Sequence, residues 1–171
     1  MQCLNNKNNN IIITIQSIDT AGIFVLMEQT CNYLFVYGTL LDADNEFARY
    51  LNNNCTFYGN GKFKGRLYDI GEYPGAIADQ NYHYYVYGNI FALNNSSKVL
   101  KYFDDYEGYD DEQDQPDLFI RRMMDIETVN GIVNCWVYLY SLPVNRFKLI
   151  ESGNYVSYKN KNPPDHTIRR I

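Results

Sequence analysis

Cys55-Thr56-Phe57-Tyr58-Gly59-Asn60-Gly61-Lys62-Phe63-Lys64-Gly65-Arg66-Leu67-Tyr68-Asp69-Ile70 carries three glycines inside a strand-like pattern. Glycine within a strand weakens it and marks a bulge or a sharp bend. Gly59, Gly61 and Gly65 therefore predict a strand that turns corners, as in a small barrel. Upstream, Tyr33-Leu34-Phe35-Val36-Tyr37 is apolar throughout and reads as a buried strand. It runs into Gly38-Thr39-Leu40-Leu41, after which Asp42 or Asp44 is placed to cap a short helix over 45–51. Downstream, Gly71-Glu72-Tyr73-Pro74-Gly75 reads as a turn, with Tyr73-Pro74-Gly75 as a type II turn. A short strand at 76–78 and a long aromatic and branched strand at 82–93 follow. Asn95 or Ser96 caps the best helix, 97–107, and Gly108 ends it. Residues 118–128 and 132–140 predict a hairpin over Asn130-Gly131. Two helices among many strands give an α+β chain built on a small barrel or strongly curved sheet.

The chain has 171 residues, enough for one domain with a real core and too few for two comfortable ones. Its 20 acidic and 15 basic side chains leave a net charge of -5, the wrong sign for a general nucleic-acid binder. Eight of those carboxylates fall between Asp104 and Asp117, where there is no Lys or Arg; the other 12 face 15 basic groups. The acidity is thus local. Seventeen Tyr and nine Phe favour strands, since aromatic rings suit a half-buried pleated surface. The aromatic run at 82–87 suits strand packing better than base stacking, given the acidic balance.

Residues 1–30 read as a poorly ordered N-terminal extension, because its Asn-rich tract buries too little apolar surface. Met27 is an alternative start just ahead of the first strong strand. Residues 31–158 form the domain, and 159–171 a polar tail. No apolar run reaches the roughly 18 residues that span a bilayer, and the N-terminus does not read as a signal peptide. Cys3, Cys31, Cys55 and Cys135 are scattered, with no Cys-x-x-Cys pair and no His at ligand spacing. That argues against a zinc site or a disulfide framework and places the protein in reducing cytoplasm, away from membranes.

One residue breaks the helical pattern. Val99, Leu100, Phe103, Tyr106 and Glu107 share a face at 3.6 residues per turn, and the fifth of them is a carboxylate. An ionised carboxylate in an apolar place shifts its pKa or finds a partner. The helix C-terminus and Asp104, Asp105 and Asp110 add negative potential around Glu107. All of this raises the pKa of Glu107 toward the range of a general acid/base. Pattern alone also admits a solvated Glu at a frayed helix end. The remaining acids of the loop, 111–117, read as a solvated surface. They do not form a calcium loop, because Phe103 would fall where an Asp is required. Tyr37-Gly38-Thr39-Leu40 stands at a strand end, where backbone amides of a Gly turn can hold an anion such as a carboxylate. His83 and His166 are isolated and form no triad.

These elements occur in a particular order. Phe35-Val36-Tyr37-Gly38-Thr39-Leu40 comes first, then Gly65-Arg66-Leu67-Tyr68, Tyr73-Pro74-Gly75-Ala76 and Gly88-Asn89-Ile90-Phe91. Phe103-Asp104-Asp105-Tyr106-Glu107-Gly108, Phe119-Ile120-Arg121-Arg122 and Ser152-Gly153-Asn154-Tyr155 complete the series. In this order they resemble the γ-glutamylcyclotransferase-like superfamily over residues 33–158. The similar branch is that of the γ-glutamylaminecyclotransferases and avirulence-induced-gene-like proteins. The resemblance implies a small mixed β-barrel with flanking short helices. It implies release of 5-oxoproline from small γ-glutamyl substrates by a monomer with no metal or organic cofactor. It puts the general acid/base on Glu107 and the substrate's α-carboxylate on Tyr37, Gly38, Thr39 and Leu40. Tyr73, Pro74, Arg121 and Tyr155 are implied to line the pocket.

The implied reaction is intramolecular. Glu107 takes a proton from the α-ammonium, the freed amine attacks the γ-carbonyl, and the proton passes to the leaving amine. Three positions depart from the pattern: Phe119 where relatives have Tyr, Asn89 where Glu often follows the Gly, and Leu41 where Lys or Arg is common. The rival expectation is a non-catalytic small-ligand or protein-interaction module of the same fold.

Overall fold

The computed structural model describes residues 12–14, 27–29, 31–38, 41, 45–107 and 117–162. The chain divides into two units, Met1–Cys31 and Asn32–Ile171. In the first, strands β1 (Ile12–Thr14) and β2 (Met27–Gln29) pair antiparallel, with Ile13 opposite Glu28. Among the described residues no helix is long and apolar enough to cross a membrane.

The second unit begins with β3 (Tyr33–Val36), a strand with Leu34, Phe35 and Val36 all buried. Helix α1 (Glu46–Asn54) follows. Its N-cap is Asn45, whose Oδ1 accepts from the Ala48 amide at 2.6 Å. The expected caps Asp42 and Asp44 lie outside the described residues, and the capping position falls one residue further on. Asn45→Ala should lower stability by about 1 kcal/mol, read as a shifted urea midpoint at unchanged slope.

Strand β4 (Cys55–Asp69) is the long strand of the fold. It pairs antiparallel with β6 (Tyr85–Leu93) along its first half, with a register shift between Phe57 and Gly59. Along its second half it pairs with β5 (Pro74–Ala78) and, at Tyr68 and Asp69, with β9 (Lys148–Leu149). One strand can serve two sheets because it bends, as its glycines predict. Helix α2 (Ser96–Glu107) connects β6 to β7 (Phe119–Thr128), which forms a ten-rung hairpin with β8 (Gly131–Tyr140). Helix α3 (Tyr155–Lys161) follows β9.

The sheet order β4-β6-β3-β8-β7 closes through the Lys62–Glu127 pairing of β4 with β7, giving a five-stranded barrel. The contact of β3 with β8, at Leu34 and Trp136, is parallel and the other pairs are antiparallel, so the barrel is mixed. Phe35, Phe63, Val86, Ile90, Ile126 and Val137 fill its interior, each at most 1% exposed. A barrel this small is filled by side chains, so ligands must bind at its rim. Outside it, α2 buries Val99, Leu100 and Phe103, while Tyr50 of α1 stacks on Tyr102 at 3.6 Å.

Of the two caps expected for α2, Asn95 holds the position and accepts from the Lys98 amide at 3.1 Å, whereas Ser96 Oγ donates to the Asn32 side chain. Three local expectations need correction. The hairpin turn is Val129-Asn130, because Thr128 pairs with Gly131. Asn130 does not take positive φ; Gly131 does, at 121°. This is glycine's place after a turn of the common type rather than inside a mirror-image one. Tyr73-Pro74-Gly75 is not a type II turn, since Pro74 and Gly75 already lie in β5 and the positive φ belongs to Gly71. Proline is tolerated as the first residue of a strand, where its missing N–H costs no ladder bond. Finally, α3 is a third helix, running from Tyr155 past residue 158, the expected end of the domain.

Candidate active site

The chain leaves β3 at Tyr37, whose side chain is buried. Its hydroxyl donates to the Tyr138 carbonyl at 2.6 Å and accepts from the Ala76 amide at 3.4 Å. These bonds fasten the strand end to β8 and β5 together. Gly38 follows, and the Leu41 amide donates to its carbonyl at 3.0 Å, closing a turn over 38–41. A Cβ on Gly38 would lie 2.7 Å from Pro74 Cγ, so only glycine lets this turn rest on the start of β5. Thr39 and Leu40 lie outside the described residues. Tyr37, Gly38 and Pro74 are thus brought together at one rim of the barrel. The rim continues through Tyr73, whose ring is 5.8 Å from Phe119, and on to Tyr140, 5.7 Å from Phe119.

Glu107 is the last residue of α2, where the macrodipole is most negative; its side chain lies outside the described residues. One turn earlier the geometry is explicit. Asp104 Oδ2 is 2.5 Å from Arg121 Nη1, and Asp104 Oδ1 accepts from the Tyr138 hydroxyl at 2.7 Å. Both members of the ion pair are about four-fifths buried, with side chains 18% and 21% exposed, and the guanidinium lies 5.0 Å from the Trp136 ring centroid. Burial pushes the Tyr138 hydroxyl far above its ordinary range, and the Asp104 charge adds to this while Arg121 opposes it. Tyr138 is therefore a fixed donor at any physiological pH.

Arg121 does not stand alone as a pocket cation, because it is bound to α2. The negative charge that Asp104 was expected to lend to Glu107 is correspondingly offset by Arg121. Asp105 meets Lys101 at 4.0 Å, an exposed pair of little energetic weight. Tyr155 opens α3 and belongs to the hydrophobic core that also contains Tyr37, with its ring 6.4 Å from Tyr158.

Sequence reasoning missed Asp104 and Tyr138 as partners of Arg121. A signal for Asp104 existed: it follows Leu100 by four residues, on the flank of the buried helix face. Nothing in the local pattern marked Tyr138 apart from its neighbours.

Comparison with known proteins gives this rim a family. The profile of the family described as Gamma-glutamyl cyclotransferase, AIG2-like matches residues 34–157. The chain belongs to that family. The matched span runs from β3 into α3 and contains every strand of the barrel. The γ-glutamylcyclotransferase family protein YtfP of Escherichia coli strain K12 is 28% identical over 130 residues, covering 72% of this chain and 95% of that protein. The solution structure of ytfP from Escherichia coli superposes with a TM-score of 0.52 at 26% identity, covering 74% of this chain and 98% of that one. An AIG2-like protein from Mus musculus gives 0.53 at 21% identity, covering 68% and 81%. YkqA from Bacillus subtilis gives 0.58 at 20% identity; the match covers 76% of this chain but 41% of that longer one. The last two share the barrel fold.

Proposed function

We propose that this chain is a cytoplasmic γ-glutamyl cyclotransferase that releases 5-oxoproline and a free amine from γ-glutamylamines. The observation that supports this most is the family match across the whole barrel, with a carboxylate, Glu107, ending the helix whose Asp104 is bonded to Tyr138, the residue whose carbonyl holds Tyr37. The Tyr37 hydroxyl is engaged between β8 and β5, so backbone N–H of residues 37–40 is what this rim offers to the substrate's α-carboxylate. Tyr73, Pro74 and Phe119 supply an apolar wall for the rest of the γ-glutamyl arm.

In this reading Glu107 accepts a proton from the α-ammonium. The amine nitrogen then attacks the γ-carbonyl carbon, a five-membered lactam closes, and the bond to the leaving nitrogen breaks as Glu107 returns the proton to it; the second proton of the attacking nitrogen passes to the released amine, which departs as an ammonium. No co-reactant is consumed. Most of the acceleration comes from holding the arm in its folded conformer, with acid/base help of roughly 100- to 10,000-fold. The substrate is a small molecule and the working unit is a monomer.

A second reading, binding without turnover, takes its motive from Phe119, Asn89 and Leu41, which depart from the family pattern. Purified protein offered γ-glutamyl-ε-lysine, γ-glutamyl dipeptides and glutathione should release 5-oxoproline from at least the first. Binding of these compounds with no release would instead support the second reading.

A further inference from the structure

We propose that Tyr138 is a positioning residue that ties the two halves of the site to each other; the inference rests on the reading just given. Its backbone and its side chain serve different halves. The carbonyl of Tyr138 accepts from the Tyr37 hydroxyl at 2.6 Å and so fixes the start of the turn assigned to the substrate carboxylate. The hydroxyl of Tyr138 donates to Asp104 at 2.7 Å, three residues before Glu107 on α2. Residues three apart on a helix are neighbours, about 5–6 Å between Cβ atoms, so the depth and rotation of Asp104 set those of Glu107.

Arg121 completes the arrangement from the adjacent strand. It is the cross-strand partner of Tyr138 in the β7–β8 hairpin and holds the other oxygen of Asp104 at 2.5 Å. Asp104 is thus gripped from two strands at once. Tyr138 is 5% exposed, so water does not compete for its hydroxyl. A phenylalanine would fill the same space and complete the same hairpin. What the hydroxyl adds is a directed bond to the helix that carries the acid/base. Catalysis is sensitive to such placement, since an error of about 1 Å far from the chemistry can cost roughly 100-fold.

The test compares Tyr138→Phe with the wild-type full chain. That variant keeps the ring and the carbonyl, so the Tyr37 bond survives. The expected result is a fall in kcat of about tenfold or more, with KM changed by less than about twofold. Amide hydrogen exchange should quicken at 104–107 and stay unchanged at 36–38. Asp104→Ala, which also releases Arg121, should lower kcat at least as much, and adding Tyr138→Phe to it should cost less than it does in the wild type, because their shared bond is already gone. Arg121→Lys, which keeps the charge, should retain more kcat than Arg121→Ala. Wild-type kcat and exchange in Tyr138→Phe, or losses that add in the double variant, would overturn the inference. Wild-type protein that releases no 5-oxoproline from any substrate sinks the proposed reaction instead. Exchange then decides the tie alone: faster exchange confined to 104–107 upholds it, and an unchanged pattern overturns it.

Discussion

Glu107→Gln should abolish measurable 5-oxoproline release, a loss on the order of 100- to 10,000-fold, and leave the protein at least as stable as before. The substitution keeps the length of the side chain and its helix propensity, so α2 retains its end at 107. It removes only the capacity to take up and return a proton. The stability side of the prediction has a sign of its own. A negative charge at a helix C-terminus opposes the macrodipole, and removing it relieves about 0.3–1 kcal/mol at low ionic strength. The six other carboxylates from Asp105 to Asp117 make that relief larger, while Asp104 is already offset by Arg121. A residue kept for the fold would lose both properties together; one kept for chemistry loses activity while the fold gains. The measurement is product release by both proteins on the same γ-glutamyl substrates, beside their urea midpoints. Retained release in the variant would remove Glu107 from the mechanism.

Local pattern carried the strands and helices far better than their partners. Tyr33–Val36, Tyr85–Leu93 and Ser96–Glu107 emerge where apolar runs and helical phase place them, with ends off by a few residues. The turns shifted for a common reason. Asn130 and Pro74-Gly75 look like turn residues, but Gly131 and Gly71 are the ones that take positive φ, and a dipeptide signal does not say which neighbour will. Helix α3 was hidden because the cap at Asn154 was not recognised; its side chain accepts from the Ser157 amide at 2.9 Å, an ordinary N-cap. Strand β9 has two residues and no period to read.

Barrel curvature was legible in three glycines, yet barrel closure was not. Lys62 meets Glu127, and no local rule links positions that far apart. The site divides in the same way. Helical phase singled out Glu107, and a Gly turn singled out 37–40, because both are local. The bonds joining Asp104 to Arg121 and Tyr138 span 17 and 34 residues, and Tyr37 reaches Tyr138 across 101. Only the folded sheet brings these together.

Phe63→Ala should destabilise the protein by about 3–5 kcal/mol, toward the upper end of that range. Phe63 is 1% exposed in the middle of β4, opposite Val86 on β6, and its ring meets Phe35 edge-on at 5.6 Å. An edge-to-face pair adds about 0.5–1.5 kcal/mol beyond the buried area. The cost of a cavity depends on how far the walls can collapse into it. Here the walls are strands fastened to neighbours on both sides around a closed ring, so they cannot move inward without breaking ladder bonds. Against a total stability of about 5–15 kcal/mol, that loss places the variant near unfolding at moderate temperature. Phe57→Ala on the same strand is the control. Phe57 is 55% exposed and touches Phe91 at 5.9 Å from outside, so its loss should stay within about 1 kcal/mol. Urea midpoints at a common slope measure both. Equal losses would mean that β4 does not present one face to a barrel interior, and the closure through Lys62 and Glu127 would fail with it.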